Sequence, residues 1–280
     1  MKVLKHITAI QILHQKRTNS VPFFVLCDDG ELYIAKSMFK PSPPISDLVN
    51  EILGVYFLQI MQVSVIEPAI IKIPQEVFET FKLSGEKYEN KYDKLAFDKV
   101  LFFGSTNLAT TTELDLYNIS LKNKYEYNKY INPLDFIKIG VFDYWIGNMD
   151  RKDNNSNILI DESLDGKFKF LPIDHTYTFA HQSNYKAIRL ELMSHPHSRT
   201  ILKTPMSKSI LNFADSKIIS NLHNTIFEGF NDVIQNIDFV FGQVPSSFGL
   251  SKAGKKKIKD ILSDKNRNKE VSKIYFNYIK

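Results

Sequence analysis

The sequence predicts a two-lobed α+β chain, with a small antiparallel sheet lobe followed by a mainly helical lobe. Three observations predict it. The first third is made of short β-branched and aromatic runs separated by turn signals. Beyond residue 104 the apolar spacing becomes helical. One apolar hairpin then interrupts the helical part, beside a cluster of Asp and Asn residues.

Strand candidates are residues 7–13, 21–27 and 32–37, and Asp28-Asp29-Gly30 marks a hairpin between the second and third. Pro41-Ser42-Pro43-Pro44 is a stiff stretch before a helix over 45–62, where Leu48, Ile52, Val55 and Leu58 keep helical spacing. A strand over 66–73 and a short helix over 75–81 follow. Residues 99–103 read as a strand ended by Gly104-Ser105-Thr106-Asn107. That end is taken as the boundary between lobes 1–104 and 105–280. Asn132 as cap and Pro133 at the first helical position start a helix whose face, Ile137, Val141, Tyr144 and Trp145, runs into Gly147-Asn148. Residues 158–160 and 168–173 form the hairpin, with Asp165-Gly166 as its turn signal. Residues 206–280 read as several helices, clearest over 215–237.

A chain of 280 residues, 43% hydrophobic and 24% charged, can bury a core of ordinary size. No apolar run is long enough to span a bilayer. Residues 1–15 mix charged and apolar positions unlike a signal peptide, so a soluble cytoplasmic protein is expected. Cys27 is the only cysteine, which excludes an intrachain disulfide and a thiolate metal cluster. The net charge of +5 suits an anionic ligand such as a nucleotide. Lys252, Lys255, Lys256, Lys257 and Lys259 read as one solvated helix face. No aromatic residues interleave with them, which argues against a nucleic-acid patch.

The chemistry sits in Gly147-Asn148-Met149-Asp150-Arg151-Lys152-Asp153-Asn154-Asn155-Ser156-Asn157 and in Ile173-Asp174-His175. Phosphoryl transfer needs one carboxylate to orient the attacking hydroxyl, and an amide with a second carboxylate to hold the metal on the nucleotide phosphates. Asp150, in a loop after a buried helix, is the candidate for the first role. Asp174, desolvated after Leu171-Pro172-Ile173, needs a positive partner and is the candidate metal ligand. The amide is Asn157, which abuts the strand, or Asn155. Hard oxygen donors favour Mg²⁺ or Mn²⁺ over zinc. Lys36 ends the third strand, and Glu51 lies near the apolar face of the next helix, flanked by Leu48 and Val55. A charge there needs a partner, and a strand Lys paired to a helical Glu aims an ammonium at nucleotide phosphates.

Asp153, Asn155 and Asn157 match the start of a calcium loop, but Ile158 stands where that loop needs Gly and Leu164 where it needs Glu, so it is rejected. His195 and His197 read as a solvated turn, and His175 as a loop-orienting or packing residue. No Walker loop, nucleophile elbow or Gly-x-Gly-x-x-Gly occurs.

These blocks, in this order, resemble the HipA-like kinases, a branch related to the phosphoinositide-kinase and protein-kinase fold. The likeness is carried by residues 24–36, Asn50-Glu51, Val65-Ile66-Glu67-Pro68-Ala69, Phe103-Gly104-Ser105, residues 141–151 and Ile173-Asp174-His175. It implies a two-lobed protein-kinase-like fold, ATP with Mg²⁺, and Asp150, Asn157 or Asn155, and Asp174 in the roles above. It implies a protein Ser/Thr acceptor. Because some members are toxins of toxin–antitoxin pairs, it also implies an antitoxin-like partner. The expected phosphate-covering loop over 14–20 lacks glycine, and Lys16 or Arg17 would supply charge there. Thr18 or Ser20 is a candidate self-phosphorylation site. A nucleotide- or partner-binding module without turnover, favoured by the glycine-free loop, and a small-molecule kinase are the alternatives.

Overall fold

The computed structural model describes residues 2–16, 21–37, 46–116, 120–162, 165–182, 184–193 and 199–279. Expectations for Arg17, Thr18, Ser20, the stretch 41–44, His195 and His197 lie outside these residues. Strands β1 (Lys5–Gln15), β2 (Phe23–Cys27) and β3 (Leu32–Lys36) lead into helix α1 (Ser46–Ile60). Strand β4 (Pro68–Lys72), helix α2 (Gln75–Leu83) and strand β5 (Leu101–Thr106) follow. The five strands form a closed barrel in the order β1-β2-β3-β5-β4.

Closure corrects the expectation of a simple antiparallel sheet. β1 has eleven residues and serves two partners. Lys5 to Thr8 pair in parallel with β4, while Ala9 to Gln15 pair antiparallel with β2. Register shifts at Ala9/Gln11 and Ile12/His14 coil the strand from one partner to the other. Alternation then fills the interior. Phe23, Val25, Tyr33, Ala35, Ile71 and Phe102 point inward, and Phe78 and Phe81 of α2 complete this cluster. β5 starts two residues later than expected and runs through Gly104, which pairs with Ala35 and Ala69, so the barrel continues to Thr106.

The rest of the chain contains strand β6 (Thr111–Glu113), helices α3 (Lys124–Asn128) and α4 (Asp135–Ile146), and strands β7 (Ile158–Glu162) and β8 (Phe168–Pro172). Helices α5 (Pro205–Phe213), α6 (Ser216–Gln243), α7 (Lys252–Leu262) and α8 (Lys265–Ile279) complete it. The expected hairpin is present, and β6 adds a third strand to it. α4 begins after the expected Asn132–Pro133 start. Those two residues make a preceding turn whose carbonyls accept from Asp135 and Phe136. The lysine run lies on α7, which buries Gly254, Ile258, Ile261 and Leu262 and leaves Lys252 and Lys256 exposed. No helix among the described residues is long and apolar enough to cross a membrane.

A second, larger core joins α1, α4 and α6. α1 precedes β4 in the chain, yet Leu48, Ile52, Leu53, Tyr56, Phe57 and Leu58 bury themselves in this core rather than in the barrel. Trp145 is fully buried, stacks on Phe230 at 4.1 Å and donates its indole N–H to Asn268 at 3.0 Å. Truncating it leaves a large cavity and an unpaired acceptor. Trp145→Ala is expected to cost about 3–5 kcal/mol. Urea denaturation followed by circular dichroism measures this, and a loss below about 1 kcal/mol contradicts the packing described.

Candidate functional site

β3 alternates Tyr33 and Ala35 into the barrel and releases Lys36 at its end. The Lys36 ammonium lies 2.6 Å from Glu51 Oε1 and 3.8 Å from Asp174 Oδ1. Glu51 is buried on α1, and its Oε2 accepts the backbone N–H of His175 at 3.0 Å. Both oxygens of one buried carboxylate are thereby used. Burial works to lower the Lys36 pKa, but the charges of Glu51 and Asp174 outweigh it and hold it above the ordinary lysine value. Burial also pushes the Glu51 carboxyl above its usual range, against the pull of Lys36.

Asp174 is half-buried and sits in the left-handed region, with φ of 55°. The Thr176 hydroxyl donates to its Oδ1. Burial alone would raise this carboxyl. Lys36 and Thr176 overcome that and hold it below the ordinary aspartate value, so it is ionised at neutral pH. His175 is fully buried, and burial drives its imidazole well below the ordinary value, leaving it neutral.

The second carboxylate is built from the end of α4. Gly147 adopts φ of 64° and returns its N–H to the Asp143 carbonyl, which turns the chain sharply out of the helix. Asn148 donates to Asp143 Oδ1 at 3.0 Å and accepts the Asp150 N–H at 3.2 Å. Asn155 and Asn157 both donate side-chain amides to Asp150 Oδ2, at 2.9 and 3.0 Å. No described residue donates to Asp150 Oδ1. The Asn157 carbonyl accepts from Ile173 N–H at 2.8 Å, which ties the Asp150 loop to the residue before Asp174.

The structure thus joins Lys36, Glu51 and Asp174 directly, and Asp150, Asn155 and Asn157 directly, with Ile173 linking the two sets. Both asparagines share Asp150 Oδ2. Lys16 follows β1 with its side chain exposed, and no hydrogen bond or ion pair joins it to the set among the described residues. Sequence reasoning assigned no role to Asp143, Asn148 or Arg151. Arg151 is buried, pairs with Asp143 Oδ1 and donates to the Ile173 carbonyl at 2.9 Å. The signal was available: Asp143 is a charge inside the apolar run 139–146 of α4 and requires a buried partner.

Asp174 and an asparagine amide are a sparse, hard-oxygen donor set. Among the described residues no group of three or more His, Cys, Asp or Glu side chains is placed to hold a metal. Sparse donation of this kind fits Mg²⁺, which keeps waters and takes further oxygens from phosphates.

Burial pushes the Asp143 carboxyl up to about 6, against the pull of Arg151 and Asn148, and its Oδ2 is buried with no hydrogen-bond partner among the described residues. Between about pH 4 and this value the folded chain keeps a proton that the unfolded chain has lost. The contribution of Asp143 to stability therefore falls as pH rises through that window. Urea titrations of the wild type and Asp143→Asn at pH 4 and pH 7 are expected to show the wild type losing ground relative to the variant. A pH-independent difference contradicts the assignment.

The profile of the HipA-like kinases matches residues 9–238. No curated protein sequence matches the chain. Among solved structures, a Helicobacter pylori proinflammatory kinase, CtkA, is similar over 98% of this chain and 97% of its own, at 13% identity and a TM-score of 0.57. A Golgi casein kinase is similar over 98% of this chain and 74% of its own, at 13% identity and a TM-score of 0.41. The likeness to CtkA is one of fold, and it spans both the barrel and the helical core. With a match across residues 9–238, the chain belongs to the HipA-like kinase family.

Proposed function

We propose that the chain is an ATP- and Mg²⁺-dependent kinase that phosphorylates Ser or Thr hydroxyls of a protein. The observation that carries this reading is the meeting of Lys36, Glu51 and Asp174, tied through Ile173 and Asn157 to Asp150. Asp150 Oδ2 is held by two amides, which leaves Oδ1 to accept the proton of the attacking hydroxyl. As the new oxygen–phosphorus bond forms, the bond from the γ-phosphorus to the β-phosphate oxygen breaks. Lys36, steadied by Glu51, would orient the phosphates with its ammonium. Asp174 with Asn157 or Asn155 would hold the cation, which neutralises phosphate charge when bound. A toxin role, an antitoxin-like partner and a cytoplasmic location rest on the family likeness and the sequence.

Incubation with labelled ATP and a cell lysate is expected to yield phosphoserine or phosphothreonine only when Mg²⁺ is present. No ATP consumption in either condition supports a binding module instead, and a phosphorylated small molecule with no labelled protein supports a small-molecule kinase. Asp150→Asn is expected to lower kcat about 10²–10⁴-fold, the range of a lost general base, without moving the unfolding midpoint. Full turnover by this variant contradicts the role. Asn157→Ala is expected to raise the Mg²⁺ concentration for half-maximal rate by about tenfold or more, and Asn155→Ala by less. The reverse order assigns the cation to Asn155.

A further inference from the structure

We propose that Asn50 is the positioning residue of this site. On this reading it clamps the segment after Asp174 onto α1, so that Glu51 is already placed for Lys36 before any nucleotide binds. The proposal deepens the kinase reading and rests on it for its consequence, but the clamp itself is a property of the chain alone.

Asp47, Asn50, Glu51 and Gly54 are spaced i, i+3, i+4 and i+7 on α1 and share one face. Every one of them meets residues 175–185. Asp47 Oδ1 lies 3.1 Å from His181 Nε2. The Asn50 amide donates to the carbonyls of Thr176 at 2.7 Å and Thr178 at 3.3 Å, and its oxygen accepts the Tyr185 hydroxyl at 2.7 Å. Glu51 accepts the His175 N–H. A Cβ at Gly54 would stand 2.4 Å from His175 Cγ, so the imidazole seats directly on the helix backbone.

The opposite faces of α1 are buried among α4 and α6 in the larger core. The helix is gripped from both sides, and Lys36 reaches it from the barrel. Asn50 is the polar centre of the grip. It is fully buried, and both amide hydrogens and the oxygen are used. The segment it holds is strained. Asp174, Phe179, Ala180 and His181 all take positive φ, between 53° and 55°. Non-glycine residues stay there only while their surroundings enforce it. Without Asn50, the Thr176 and Thr178 carbonyls lose the amide that holds them, and the segment is free to relax away from Glu51 and Asp174.

Hydrogen–deuterium exchange of the full chain without nucleotide tests the clamp. The readouts are peptides covering 173–182 and, as a control, peptides within α6. Asn50→Ala is expected to speed exchange in 173–182, including the His175 amide bonded to Glu51, by about tenfold or more, with α6 unchanged. Tyr185→Phe, a milder variant that removes one hydroxyl, is expected to do the same to a smaller degree. Unchanged exchange in 173–182 in both variants overturns the proposal. In the active protein, Asn50→Ala is expected to raise the KM for ATP more than it lowers kcat, and to add less than about twofold in a Glu51→Gln background. Full additivity of the two substitutions also overturns it. Faster exchange in Asn50→Ala, in a protein whose wild type transfers no phosphate, upholds the clamp and rejects the kinase reading.

Discussion

The site depends on one carboxylate, that of Glu51, divided between two partners from different parts of the fold. One oxygen faces the Lys36 ammonium, and the other takes the His175 backbone N–H. Taking two charges out of water is unfavourable unless their remaining hydrogen-bonding capacity is met. The Glu51 oxygens meet that condition, and the nearby charge of Asp174 keeps the ammonium paired on its second side. The same interaction sets the distance between the barrel that carries Lys36 and the loop that carries Asp174.

The Asp150 loop follows the same logic with a different pair. Asp143 and Arg151 flank the left-handed turn at Gly147, and their contact folds residues 147–151 back over the end of α4. Arg151 then reaches the Ile173 carbonyl, while Asn157 takes the Ile173 N–H. A single peptide segment before Asp174 is thus gripped through both its N–H and its carbonyl by the loop that holds Asp150. Rigid placement of this kind suits phosphoryl transfer, where positioning and charge stabilisation supply most of the rate.

Much of this site was legible in the sequence because each residue combined a charge or amide with the end of an apolar element. Lys36 closes β3, Asp174 follows β8, and Glu51 sits beside Leu48 and Val55, where a lone charge demands a partner. The hairpin over β7 and β8 was visible in its two apolar runs and turn signal. Barrel closure was not, because the parallel pairing of Lys5 to Thr8 with β4 joins positions some sixty residues apart, and local periodicity carries no register. β6, only three residues long, leaves no periodic trace. The placement of α1 in the helical core was hidden for the same reason: its apolar positions fit either neighbour. The charge of Asp143 within an apolar run was visible, but its partner Arg151 was not, because their geometry is created by the chain reversal at Gly147. Lys16 was suggested by its charge and its place in the expected phosphate-covering loop, and its side chain is exposed after β1.

The most direct test of the account is calorimetric titration of ATP with Mg²⁺ into the wild type and into a Lys36→Met, Glu51→Gln double variant, which removes both charges of the buried pair together. The account predicts nucleotide binding by the wild type and a loss of about tenfold or more in affinity for a double variant that still unfolds cooperatively. Equal affinity in the two proteins, or no binding by the wild type, would contradict the claim that these residues converge on a nucleotide.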